Sequence, residues 1–180
     1  MINVSNKFKQ ALLDDKRQFQ IEATITLIDD TELTITNSEL WSQGFEIDTS
    51  VSGNNSFDIG GLIIGRMTLV INNIYEDYTQ YDFFDADVDV TLTLPFDDGT
   101  SESIVFDNFI VDEATDNESQ IVLTCLDNAK HFERPYSESN LVYPASVDTI
   151  VRDACDTCGV PLLTTSIRNG HYVVPTRPSS

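Results

Sequence analysis

Lysine and arginine are missing from Met67 to Ala129, a stretch that holds fifteen of the thirty acidic residues. The whole chain has only ten basic residues, and its formal net charge is −20. Binding to a phosphate backbone depends on lysine and arginine displacing counterions, so a surface of this sign repels nucleic acid and anionic lipid. Direct nucleic-acid binding is therefore not expected. A plain solubilising role for the charge is the alternative explanation. Other scarcities narrow the field further. There are three cysteines, two histidines and one tryptophan. Met1 to Leu13 has no long apolar run and no small-residue cleavage site, so no signal peptide is expected. No apolar run approaches bilayer length, so no membrane insertion is expected either. Synthesis in a reducing cytoplasm fits these counts, because structural disulfides are uncommon there.

What the chain does have is apolar and aromatic content. Hydrophobic residues make up 41%, with ten Phe and six Tyr, enough to bury a core despite the charge. A length of 180 residues allows one domain of good size and a small appendage.

Val4 to Lys16 reads as a short amphipathic helix with Ser5 as its cap, and it holds or adjoins Lys7, Lys9, Lys16 and Arg17. The period then changes to two. Ile21, Ala23, Ile25 and Leu27 share one face, and after a turn at Asp29-Asp30, Leu33 and Ile35 continue it, which predicts a β-hairpin. Gly44 to Gly65 is less regular, with a loop composition at Ser52 to Ser56 and a bulge or tight approach at Gly60-Gly61. Met67, Leu69 and Ile71 alternate again. Tyr75 to Phe84 reads as a turn or a single helical turn. Asp85 to Leu94 is the clearest strand, because a one-residue slip would bury three carboxylates. Ser103 to Phe106, Phe109 to Asp112 and Gln120 to Leu126 complete the series. Strands at this spacing predict a mainly β protein, an antiparallel barrel or sandwich. Composition shifts after Asp127. A second helix is expected over 146–158, capped by Ser146 and stopped by Gly159 and Pro161. The expected organisation is a β domain over 1–143 and the start of a second small domain or extension over 144–180, whose abrupt end reads as truncated.

Few residues point to chemistry. Cys155 and Cys158 have the spacing of a redox or half-zinc motif. They fall in the last turn of a predicted helix, where the dipole does not favour a thiolate, and only Cys125, His131 and His171 could complete a zinc site. Core packing is the simpler reading. Asp85, Asp87 and Asp89 resemble the start of a calcium loop, but Val90 stands where such a loop needs glycine, and their period says strand. There is no P-loop, dinucleotide fingerprint or nucleophile elbow. No catalytic residue, resident metal or cofactor is expected, and the chain reads as a non-enzyme. Trp41, Tyr75, Tyr78, Tyr81, Phe83 and Phe84 are candidate interface anchors, with capping of the barrel from inside as the competing reading.

Several phrases taken together suggest a family. They are Ser56 to Gly60, Met67 to Asn73, Tyr81 to Ala86, Phe109 to Glu113, Leu123 to Asp127 and the helix from Ile150 to Gly159. Their order and spacing resemble the N-terminal part of phage and prophage tail proteins of Gram-positive bacteria. That group is similar to the central hub, or tail-associated, proteins of phage baseplates. The resemblance runs from about Val4 to Pro178 and transfers no site residue. It implies a barrel of the tail-tube kind that forms a trimer or ring around a central channel, within the virion tail. Its partners would be copies of itself and the neighbouring tube and baseplate proteins. A calcium-dependent carbohydrate-binding or adhesion β-sandwich is the alternative from a different class.

Overall fold

The computed structural model describes residues 3–48, 64–133 and 139–177. These form two compact units, the first ending at Asp127 and the second beginning at Asn128. The first unit is mainly antiparallel β, as the alternation predicts. A short helix α1 (Asn6–Ala11) precedes β1 (Gln20–Thr26), β2 (Glu32–Thr36), β3 (Leu40–Asp48), β4 (Arg66–Asn72), β5 (Asp87–Pro95), β6 (Ser101–Asp116) and β7 (Gln120–Leu126). They make one seven-stranded sheet in the order β2-β1-β5-β6-β7-β4-β3.

The order has a geometric consequence. β2 and β3 are the two edges of the sheet, yet only residues 37–39 connect them. Seven strands laid flat would span about 29 Å from edge to edge. The step from Thr36 to Leu40 reaches at most about 14 Å. The sheet must therefore curl until its edges approach at this corner. The corner is tied down: Glu39 accepts from the Thr36 amide at 2.9 Å and hydroxyl at 2.6 Å, and the Asn72 amide donates to the Glu39 carbonyl at 2.7 Å. Among the described residues β2 pairs only with β1 and β3 only with β4, so the barrel is not closed.

Curling places one face of every strand around a common core. Ala23 lies in register with Ile35 on one side and Val90 on the other, and Ile25 with Val88. Met67, Leu69 and Ile71 pair with Cys125, Leu123 and Ile121. All are buried, which is the outcome a period-two pattern specifies.

Three local readings change. The first helix is shorter than the span from Val4 to Lys16. It ends at Ala11, and the Asp14 carboxylate accepts from the Lys16 amide in a local turn that competes with helix. β3 lies where the sequence reads as irregular. Its alternation is broken by a bulge in which Trp41 to Gly44 stand against Val70 alone. Gly44 is required there, because a Cβ would come within 2.6 Å of the Val70 carbonyl oxygen. Next, the strands expected at 103–106 and 109–112 are one sixteen-residue strand, β6, bent by a bulge at Asp107-Asn108. The Tyr75 to Phe84 segment forms turns, one of the two expected alternatives. The Ser52 to Ser56 loop and Gly60-Gly61 lie outside the described residues.

The second unit contains a 3-10 helix (Asn128–Glu133), β8 (Ala145–Ser146), α2 (Val147–Cys158) and β9 (Val173–Val174), with β8 and β9 paired. α2 has the predicted caps. Ser146 accepts from the Thr149 amide at 3.1 Å, and Gly159 closes the helix in the left-handed region at φ 70°. Arg177 reaches back to the carbonyls of Ser139 and Leu141, at 2.6 and 3.0 Å.

Candidate interaction surface

The loop between β4 and β5 is where the predicted aromatic anchors concentrate, and it is built on one buried amide. Asn73 follows β4 and is only 1% exposed. Its side-chain oxygen accepts from the Tyr78 amide at 3.0 Å, and its side-chain nitrogen donates to the Thr79 hydroxyl at 2.9 Å. Its own amide donates to the Ser119 carbonyl, and its carbonyl accepts from the Glu76 amide. Every polar group of this residue thus has a partner, the condition for burying an amide without penalty. The loop is closed at its other end by the Asp85 amide donating to the Val111 carbonyl.

This scaffold sorts the aromatics. Phe83 is 3% exposed and belongs to the core, with Tyr78 and Tyr81 packed partly buried beside it. The Tyr81 and Phe83 rings meet nearly edge to face, with centroids 6.3 Å apart. Burial pushes the Tyr78 phenol above its ordinary pKa, with Glu39 adding to the shift. Phe83 thus caps the core from inside, the competing reading, while Tyr78 and Tyr81 are half-buried against it. Tyr75 at 84% and Phe84 at 53% remain exposed, and so does Trp41 in the β3 bulge. The structure adds Ile74, exposed beside Tyr75, which periodicity alone did not single out. The exposed acids Glu76, Asp77 and Asp82 flank these side chains along the loop.

The candidate calcium residues are dispersed. Asp85 belongs to the loop, in the left-handed region at φ 56°. Asp87 and Asp89 lie on the exposed face of β5. The Asp89 carboxylate accepts from the Asn108 amide at 2.9 Å, which stabilises the β6 bulge. Among the described residues no group of three His, Cys, Asp or Glu side chains is gathered as a metal would require. Cys155 is buried in α2 and Cys158 half-buried, both as free thiols. Burial pushes the Cys155 thiol up, with Asp156 adding to the effect, so its geometry is that of a packed apolar group. Cys125 faces the sheet core.

A second surface feature lies at α1. Ser5 accepts from the Phe8 amide at 3.0 Å as helix cap. It also binds Glu102 twice, through its amide at 2.8 Å and through its hydroxyl. Lys7 pairs with Asp98 at 2.5 Å, donates to Thr100 at 2.7 Å and lies over the Phe96 ring at 4.3 Å. Phe8 is buried against Phe19. Lys7, Lys16 and Arg17 line an open cleft of about 550 Å³ together with Phe96, Asp97 and Asp98. No described helix is long and apolar enough to cross a membrane. Comparison with protein families, with curated proteins and with solved structures finds no match to this chain.

Proposed function

We propose that this chain is a structural subunit of a phage or prophage tail, part of the hub or the adjoining baseplate. Its work is assembly: it oligomerises around a central channel and binds neighbouring tail proteins. The observation that carries this reading is the β4–β5 loop. A loop anchored by the fully hydrogen-bonded Asn73 presents Ile74, Tyr75 and Phe84 to solvent in a chain of net charge −20. Exposed aromatics on a pre-ordered element supply contact area at low entropic cost, as protein interfaces require. The curled antiparallel sheet and the order of the sequence phrases that resemble tail proteins support the same reading.

The charge pattern supports it too. A channel that passes DNA works best with a wall that does not hold it. On this reading part of the acidic Asp82 to Glu118 region faces such a channel. The assembly reading is tested by measuring particle mass over a range of concentrations, alone and with adjoining tail proteins. A chain that stays monomeric throughout contradicts it. Charge mapping on an assembled particle tests the channel wall, and an outer-rim position for this region would sink that part.

A further inference from the structure

Deepening the assembly reading, on which it rests, we infer that one copy docks its N-terminal segment onto the β4–β5 loop of the next copy, head to tail. Two exposed apolar patches have different surroundings. After α1, Leu12 and Leu13 are exposed, Leu13 at 84%. They lie between Lys9 on one side and Lys16 and Arg17 on the other, all exposed. The segment from Lys7 to Arg17 holds four basic residues and two acidic ones, in a chain where acids outnumber bases three to one. Lys7 is engaged by Asp98, which leaves Lys9, Lys16 and Arg17 as the exposed cations of the segment, with Asp14 and Asp15 between Leu13 and Lys16. The β4–β5 loop is its chemical complement. Ile74 and Tyr75 are the apolar centre, and Glu76, Asp77 and Asp82 are the acidic surroundings.

The two patches cannot meet within one molecule. α1 is fastened to the turn after β5, through Asp98 and Glu102. The loop enters β5 at its other end, just before Asp87. The nine residues of β5 hold the two regions about 27 Å apart. Complementary patches at opposite ends of one rigid sheet produce a heterologous contact, which closes into a ring or runs on as a filament. Complementary charge also offsets the repulsion between copies that each carry a net charge of −20.

The test uses two charge-reversed variants of the protein, Lys16→Glu/Arg17→Glu and Glu76→Lys/Asp77→Lys, read by sedimentation velocity at low and high salt. All four positions are exposed, and circular dichroism verifies the fold of each variant. Wild type is expected to associate, more weakly as salt screens the charges. Each variant alone is expected to associate more than about tenfold more weakly, because like charges then face one another across the contact. Mixing the two is expected to restore association, since each supplies the intact patch the other lacks. Leu13→Ser and Tyr75→Ser give an uncharged second pair with the same expected weakening, and mixing them is expected to restore one-to-one pairs through the single intact junction. Variants that associate like wild type overturn this contact and leave the assembly reading standing. Weakening without rescue in the mixture overturns the head-to-tail arrangement. A wild-type protein that never associates overturns the assembly reading and this contact with it.

Discussion

The two ends of β5 hold their attached segments by different physics. At the loop end, Asn73 is buried and its bonds are neutral, to amides, carbonyls and a hydroxyl. At the α1 end, Ser5 and Lys7 are tied to the carboxylates of Glu102 and Asp98 on an exposed surface. A buried neutral network is insensitive to salt and acid but costly to break, because each orphaned group pays its desolvation in full. Exposed ion pairs are weak and screened, and their strength follows the protonation of the acid. The same fold therefore has one surface segment fixed by shape and another fixed by charge.

The largest effect is expected from removing the buried amide. Asn73→Ala removes the partner of the half-buried Tyr78 amide and of the Thr79 hydroxyl and should cost about 2 kcal/mol in urea unfolding. Hydrogen exchange should rise across the Tyr75 to Phe84 segment while α1 is unchanged. Next, Ser5→Ala removes the α1 cap and the hydroxyl contact with Glu102. About 1 kcal/mol is expected, with fraying confined to α1 and its neighbours. A stability unchanged by this substitution would mean that Phe8, the Lys7 ion pair and the Ser5 amide hold α1 without its cap.

Acid should separate the two ends without any mutation. The Lys7 ammonium, with Thr100 also donating, holds Asp98 well below its ordinary value of 3.8. The Ser5 hydroxyl and amide lower Glu102 from its ordinary 4.5. A carboxylate depressed in the folded state stabilises fully above its unfolded value, and that contribution fades as pH falls through the folded one. Lowering the pH below these ordinary values should therefore loosen α1 while the Asn73 loop keeps its protection, as amide exchange or NMR would detect. Equal loosening of both would erase the distinction. The smallest expected effect is that of calcium. With Asp89 committed to the β6 bulge and Asp85 in the loop, millimolar calcium should leave Tm unchanged. A clear rise in Tm would favour the calcium-dependent sandwich instead.

Much of this molecule was legible as local pattern. The alternation through Ile21 to Leu27, Met67 to Ile71 and Val88 to Leu94 named the buried faces correctly, most sharply in β5, where one slip would bury carboxylates. Ser146 and Gly159 marked α2 because capping depends on groups a few residues apart. β3 was not legible. Its four-residue bulge breaks the period, and only the approach of β4 explains why Gly44 must be there. The candidate surface was half legible. Aromatic density from Tyr75 to Phe84 flagged the loop, but Phe83 and Tyr75 have the same kind of side chain and opposite fates. The buried Asn73 that separates them left only a weak signal, an Asn pair at the end of a strand.

The sequence by itself determined which face of β1, β2, β4, β5 and β7 turns inward, where the second helix starts and stops, and that one long stretch carries no cation. Those properties follow from neighbours along the chain. Only the tertiary structure decided that β2 and β3 form opposite edges of one curled sheet. It also decided which aromatics fill the core, and that the basic segment and the acidic loop stand at opposite ends of β5. These depend on pairings between residues far apart in sequence, where strand order and curvature, rather than local preference, set what meets what.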